Sequence, residues 1–340
     1  MPIAAEISSE SDRPSAPRLL VGDVGGTNTR LAWAVPGGDG YRLEALARYP
    51  TPLDLPLLLS RHLAGQPVDV VALCGAGPLR AEGSLALSNH PCLLDPAAIL
   101  AATGARQVLI VNDFVAIAHA VPALQTADLR EIQPGPGLAS ASRLVIGPGT
   151  GLGVASLVPH RGDWIICPGE GGHVDLAPVD DAEVDAFLKL RAAHGPLCVE
   201  SLLSGSGFAK LHAVLAGGPP LPPPAIVAAA RAGDTAAVTA MQMFARWLGR
   251  VAGNAALTTG ARGGVWIAGG IVPAWGAAFD DAAFRAGFCA KTGFEAWLAA
   301  VPVQLIVHPE PGLIGLARLA ASAISTNFAG HKPCGEPPLE

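Results

Sequence analysis

Apolar and polar positions along the chain fall into two periods, and the switches between them mark the elements. Leu19–Val24 is a short apolar run ending in Gly25-Gly26. Residues 30–35 resume with β-type side chains, so the pair predicts a hairpin with a glycine-rich turn. A third strand fits 43–49, a helix 52–63, and a buried strand 68–74, the last by its β-branched content. Asp95-Pro96 opens a helix over AAILAAT, with Asp95 as its cap and Gly104 as its stop. A strand at 107–111 and a helix at 114–121 complete an α/β layered domain ending near residue 122.

The pattern then restarts. Residues 144–146 run into Gly147-Pro148-Gly149-Thr150-Gly151, and strands follow at 154–158 and 164–166. Helices are expected at 180–193, 208–215 and 235–257, strands at 265–268 and 303–307, and a last helix at 313–324. The proline-rich stretch 217–224 reads as a loop inside this second domain. Two glycine-tipped hairpins about 120 residues apart suggest two related domains.

Composition changes this picture only by exclusion. Half of the 340 residues are hydrophobic, 15% are charged, and the net charge is −6. A protein that binds nucleic acid by counterion release needs a basic stripe, and none exists here. The mean hydropathy of +0.40 raises the question of a membrane span. The uncharged stretch 263–279 is broken by Gly269, Gly270 and Pro273, and no run resembles an apolar helix of ~20 residues. The cysteines, Cys74, Cys92, Cys167, Cys198, Cys289 and Cys334, form no C-x-x-C pair, and a chain of this size does not depend on disulfides. With residues 1–17 lacking a basic or apolar signal segment, the expectation is a cytoplasmic protein with tails at 1–17 and 329–340.

Several motifs carry candidate chemistry. Gly22-Asp23-Val24-Gly25-Gly26-Thr27 puts glycines at a hairpin tip, where backbone N–H groups can face an anion, and Asp23 there could hold Mg2+ through water. A tight turn demanding positive φ is the plainer reading of such a tip. Gly149-Thr150-Gly151-Leu152-Gly153 repeats the chemistry. Neither loop is a G-x-G-x-x-G fingerprint, because position 154 is Val and a strand follows where a helix is required. No lysine stands in a P-loop context either. Asn112-Asp113 sits where a strand enters a helix, a place for a cap or for a base that accepts a hydroxyl proton. Glu170, His173 and Asp175 share a glycine-rich stretch suited to sugar hydroxyls, with no second His or Cys pair at zinc spacing. Glu200 precedes Ser201-Leu202-Leu203-Ser204-Gly205. Gly269-Gly270 ends an apolar strand and offers a side-chain-free floor for an adenine ring.

In order along the chain, VGDVGGTNTRLA, SNH, VNDFVAIA, GPGTGLGVA, PGEGGHVDLAP, ESLLSGSG, IAGGIVP and HPEPGLIG resemble the bacterial glucokinase family, from about residue 19 to 319. These are ATP-dependent hexose kinases of the actin/hexokinase/Hsp70 group. The resemblance implies an α/β fold of two ribonuclease-H-like domains with a sugar/ATP cleft between them. The smaller would comprise 18–122 plus about 310–328, the larger 123–309. It implies phosphate loops at Gly22–Thr27 and Gly149–Gly153, an adenosine motif at Gly269 and Gly270, and Asp113 as the base acting on the sugar 6-hydroxyl. Asn112, Asp113, Glu170, His173 and Glu200 match the sugar-binding residues, and the family's members are commonly homodimers. The implied reaction is phosphoryl transfer from ATP to D-glucose with Mg2+. Cys92 replaces a tryptophan common in the family, and the extension before residue 18 is long. The cysteine-rich zinc motif of a related branch is absent, so no zinc is expected. A kinase of another hexose and a catalytically silent sugar sensor are the alternative readings, and a dehydrogenase lacks its fingerprint.

Overall fold

A computed structural model of the chain describes residues 16–38 and 40–328. The expected tails at 1–17 and 329–340 therefore lie, residues 16 and 17 apart, outside the described residues. The chain divides into two units, one formed by residues up to Leu73, by Pro78–Ile110 and by the chain from Ala317 onward, the other by Cys74–Gly77 and Val111–Leu316.

The first unit is built on a five-stranded sheet of order β3-β2-β1-β4-β7. Its strands are β1 (Leu19–Val24), β2 (Asn28–Gly37), β3 (Gly40–Pro50), β4 (Val70–Gly75) and β7 (Gln107–Asn112). β1, β2 and β3 form an antiparallel meander. Asp69 N and Val70 N donate to Arg18 O, and Arg106 N and Gln107 N to Asp69 O, so β1, β4 and β7 start side by side and run the same way. Helix α1 (Leu55–Leu63) begins later than the pattern suggests, because the Asp54 side chain accepts from Leu57 N and fixes the start there. Helix α2 (Pro96–Thr103) has the expected Asp95 cap and ends on Gly104 at φ 67°. A short ribbon, β5 (Leu85–Ala86) with β6 (Leu93–Leu94), carries the SNH segment at its turn. Leu20, Leu31, Leu55, Leu59, Leu73, Leu85 and Cys92 are among the core side chains. Cys92 is thus a core residue, and burial pushes its thiol up from the ordinary value.

The second unit repeats the order with one added strand, β11-β10-β9-β12-β13-β8. β9 (Arg143–Pro148), β10 (Leu152–His160) and β11 (Asp163–Gly169) are the antiparallel meander, and β12 (Val265–Ile267) and β13 (Val303–Ile306) run parallel to β9. The extra strand, β8 (Leu129–Gln133), closes the edge antiparallel to β13 and lies in a segment where sequence periodicity gives no element. This sheet is buried on both faces, as alternate residues show. Leu144, Ile146, Val265, Ile267 and Leu305 point into a large core around helix α8 (Thr235–Thr259). Val145, Leu157, Trp266 and Ile306 point the other way, where Phe114 and Ala118 of helix α3 (Asp113–Ala120) cover them.

The remaining helices are α4 (Asp181–His194), α5 (Val199–Leu202), α6 (Gly205–Ala216), α7 (Pro223–Arg231), α9 (Ile271–Trp275), α10 (Asp281–Cys289), α11 (Glu295–Ala299) and α12 (Pro311–Phe328). The loop expected over 217–224 ends at Pro222, because Pro223 and Pro224 open α7. Proline suits a helix's first positions, where its missing N–H has no intrahelical partner anyway. Among the described residues no helix is long and apolar enough to cross a membrane.

Candidate active site

The first glycine loop joins β1 to β2. Gly25 N donates to Asn28 O at 3.0 Å, and the loop is tied from the side by Thr51, whose N donates to Thr27 O and whose hydroxyl donates to Gly25 O. Neither Gly25 nor Gly26 has positive φ, so the reading of a turn that demands it fails. Gly26 lies exposed beside Asn89 of the SNH segment. Asp23, at the end of β1, pairs with Arg30 across the hairpin at 3.0 Å with 27% of its side chain exposed. Thr51 lies outside every quoted motif, and Arg30 stands inside VGDVGGTNTRLA with no role assigned to it, so sequence reasoning passes over both.

In the second unit the predicted residues converge on the first residues of β10. Leu152 N donates to Glu200 Oε2 at 2.9 Å, and a Cβ on Gly151 would collide with that carboxylate. The Phe114 ring fills the space where a side chain on Gly153 would stand, which seats the start of α3 against β10. Gly172 lies against Leu152 O. Around it Glu170 and His173 are exposed and joined by a 3-10 turn, with His173 N donating to Glu170 O at 3.0 Å. Val199 N donates to Val174 O at 2.9 Å, bringing α5 and Glu200 next to that turn. The loop itself is held by Gly149 N to Gly151 O and by Gly205 N, at the start of α6, to Gly149 O.

Asn112 and Asp113 divide two roles. Asn112 is the N-cap of α3: its Oδ1 accepts from Phe114 N at 2.8 Å, and its Nδ2 donates to Gly77 O at 3.3 Å. Asp113 Oδ1 also receives Phe114 N, at 3.0 Å, so the helix start does not depend on Asp113 alone. Its half-buried carboxyl stands at the carboxyl end of β7, where open α/β sheets place their chemistry. Gly269, at φ 81°, presses so close to Pro148 O that no side chain fits, whereas Gly270 faces open space. The first therefore shapes the turn and the second leaves it bare.

A meander-first sheet built twice, with a glycine loop at the tip of each leading hairpin, defines the actin/hexokinase-type scaffold of sugar kinases. The glucokinase family model matches residues 20–323. A glucokinase of Pseudomonas paraeruginosa is 38% identical over 326 residues, covering 91% of this chain and 94% of the relative. One of Marinobacter nauticus is 39% identical over 307 residues, covering 88% and 95%. The crystal structure of a glucokinase from an Antarctic psychrotroph superposes with a TM-score of 0.81 at 29% identity, covering 90% of this chain and 99% of that one. The chain belongs to the glucokinase family.

Proposed function

We propose that the protein transfers the γ-phosphoryl group of ATP to the 6-hydroxyl of D-glucose, giving glucose 6-phosphate and ADP. The observation that carries this reading is the convergence of Asp113, Glu170, His173 and Glu200 around the first residues of β10, beside a glycine loop with exposed backbone. Membership of the glucokinase family supports it.

In this mechanism Glu170, His173 and Glu200 bind the ring hydroxyls, with the remaining hydrogen-bonding capacity of Asn112. Asp113 takes the proton from the 6-hydroxyl as that oxygen bonds to the γ-phosphorus and the bond to the bridging oxygen of ADP breaks. The loops at Gly22–Thr27 and Gly149–Gly151 hold the phosphates through backbone N–H groups, and Gly269 and Gly270 border the adenine. Positioning and electrostatics supply most of the acceleration, because phosphoryl transfer asks for little covalent work. Asp23 fits a Mg2+ ion held through water: its partly exposed carboxylate stands at the first loop, paired with Arg30. No group of three or more His, Cys, Asp or Glu among the described residues offers direct coordination. When bound, the ion neutralises phosphate charge. A homodimer in the cytoplasm is the assembly and location that accompany this reading, and light scattering checks the former.

The test is sugar-dependent ADP release from Mg-ATP with glucose, mannose, fructose, N-acetylglucosamine or no sugar. Turnover with glucose supports the assignment, and preference for another hexose overturns the substrate. Silence with all of them, while glucose still raises Tm, overturns the enzyme and leaves a sugar sensor. In Asp113→Ala we expect kcat to fall about 100- to 10,000-fold. Its stability should change by less than about 1 kcal/mol, because Asn112 still caps α3. A variant that melts early but turns over normally would return Asp113 to a structural role.

A further inference from the structure

We propose that Glu200 is a positioning residue that joins sugar recognition to the second phosphate loop, so that sugar and nucleotide bind cooperatively through one carboxylate. This rests on the function proposed above and adds a coupling to it. The two carboxylate oxygens have different duties. Oε2 accepts from Leu152 N at 2.9 Å, and Gly151 has no side chain where that oxygen lies. Oε1 accepts no hydrogen bond from the described residues, so it has capacity for a hydroxyl. A charged acceptor on a backbone N–H is among the stronger hydrogen bonds in a protein, and removing it orphans the donor.

The surroundings make the link mechanical. α5, which carries Glu200, is tied at its start to the stretch holding Glu170 and His173 through Val199 N to Val174 O. Three residues beyond α5, Gly205 N grips Gly149 O at the other end of the same loop. Glu200 thus lies between a sugar-facing turn and a phosphate loop, bonded to the second. A sugar that engages Oε1 restrains the carboxylate and, through Oε2, the backbone at 151–152. The nucleotide then meets a loop already ordered. Linkage makes the effect reciprocal: glucose tightens the nucleotide by the same factor as the nucleotide tightens glucose.

The experiment has two parts. Titration calorimetry measures Mg-ADP binding without sugar, glucose binding without nucleotide, and each with the other present. This is done in wild type, Glu200→Ala, Glu200→Gln and His173→Ala. Glu200→Ala should weaken Mg-ADP about tenfold or more with no sugar present and abolish the mutual enhancement. Glu200→Gln, which keeps the shape and loses the charge, should lie between. His173→Ala should weaken glucose and leave Mg-ADP binding alone unchanged. Unchanged sugar-free Mg-ADP affinity in both Glu200 variants, or a full enhancement surviving in them, overturns the coupling. Hydrogen exchange at residues 149–153 is read in the same proteins and needs no substrate. Faster exchange at the Leu152 amide in the variants is expected, and unchanged exchange overturns the bracing role even if the protein proves not to act on glucose. Wild type that binds neither glucose nor Mg-ADP, yet shows the exchange difference, overturns the functional reading and its coupling while leaving the brace.

Discussion

His62, in α1, has its Nδ1 2.9 Å from the Tyr49 hydroxyl, while its Nε2 is sealed from solvent with no hydrogen-bond partner. The imidazole also meets the Tyr49 ring edge-on, with centroids 5.8 Å apart. Burial disfavours the charged imidazolium, so the group lies below its ordinary value of 6.5. The unfolded chain then binds the proton more readily than the folded one. Stability should be complete above about pH 6.5 and decline as pH falls from there through the lowered folded value. Tm measured from pH 8 to pH 5 should show that decline in wild type and a weaker one in His62→Phe, which keeps a ring against Tyr49. Parallel curves would exclude His62 as the source. This residue has no sequence signal at all: it is one of nine histidines, and only the strand beside it makes it unusual.

At the scale of elements, α4 and α8 are joined by an ion network with a buried centre, Glu183 and Arg250, and a partly exposed rim, Arg246 and Asp180. Glu183 is fully buried and receives Arg250 Nη2 at 2.6 Å and Arg246 Nη2 at 2.9 Å. Arg246 also reaches Asp180, the cap of α4, whose carboxyl is held below its ordinary value first by the Glu183 N–H. Arg250→Ala should cost about 3–5 kcal/mol, since it strips a buried carboxylate of its better-buried partner. A urea midpoint that barely moves would mean Arg246 alone compensates Glu183. Elements of this kind mark the boundary of what the chain's letters reveal. The meanders, α2, α8 and the glycine loops were legible, because period-2 runs, Asp-Pro caps and glycine tips act locally. β8 and α10 were not. Leu129–Gln133 alternates poorly and becomes a strand only because β13 offers an edge, and Asp281–Cys289 is a short helix whose packing on α8 is tertiary. The same division runs through the site. Asp113 and Glu170 announce themselves by motif, whereas the grip of Glu200 on Leu152 joins residues 48 apart, a distance no local pattern spans.

For the whole molecule, the shared strand order of the two sheets means that one plan was used twice, with β8 as the second copy's addition. The first unit, however, closes with the far end of the chain, from Ala317, and Ala317 and Ala320 are fully buried. A chain stopped after Leu316 should therefore lose protection in β1, β2 and β4 while β9 and β10 keep theirs, as read by hydrogen exchange. Equal loss in both sheets would show that the units unfold as one.

Two sorts of glycine line this protein's loops, and time should treat them differently. Gly269 is demanded by the fold, through its positive φ and the carbonyl pressed against it; Gly26 and Gly149 have ordinary backbone angles and no crowding that would exclude a side chain. A lineage released from phosphoryl transfer would keep the first and let the other two drift at no cost to folding. In any descendant of this chain, those two positions are where an abandoned chemistry would leave its earliest trace.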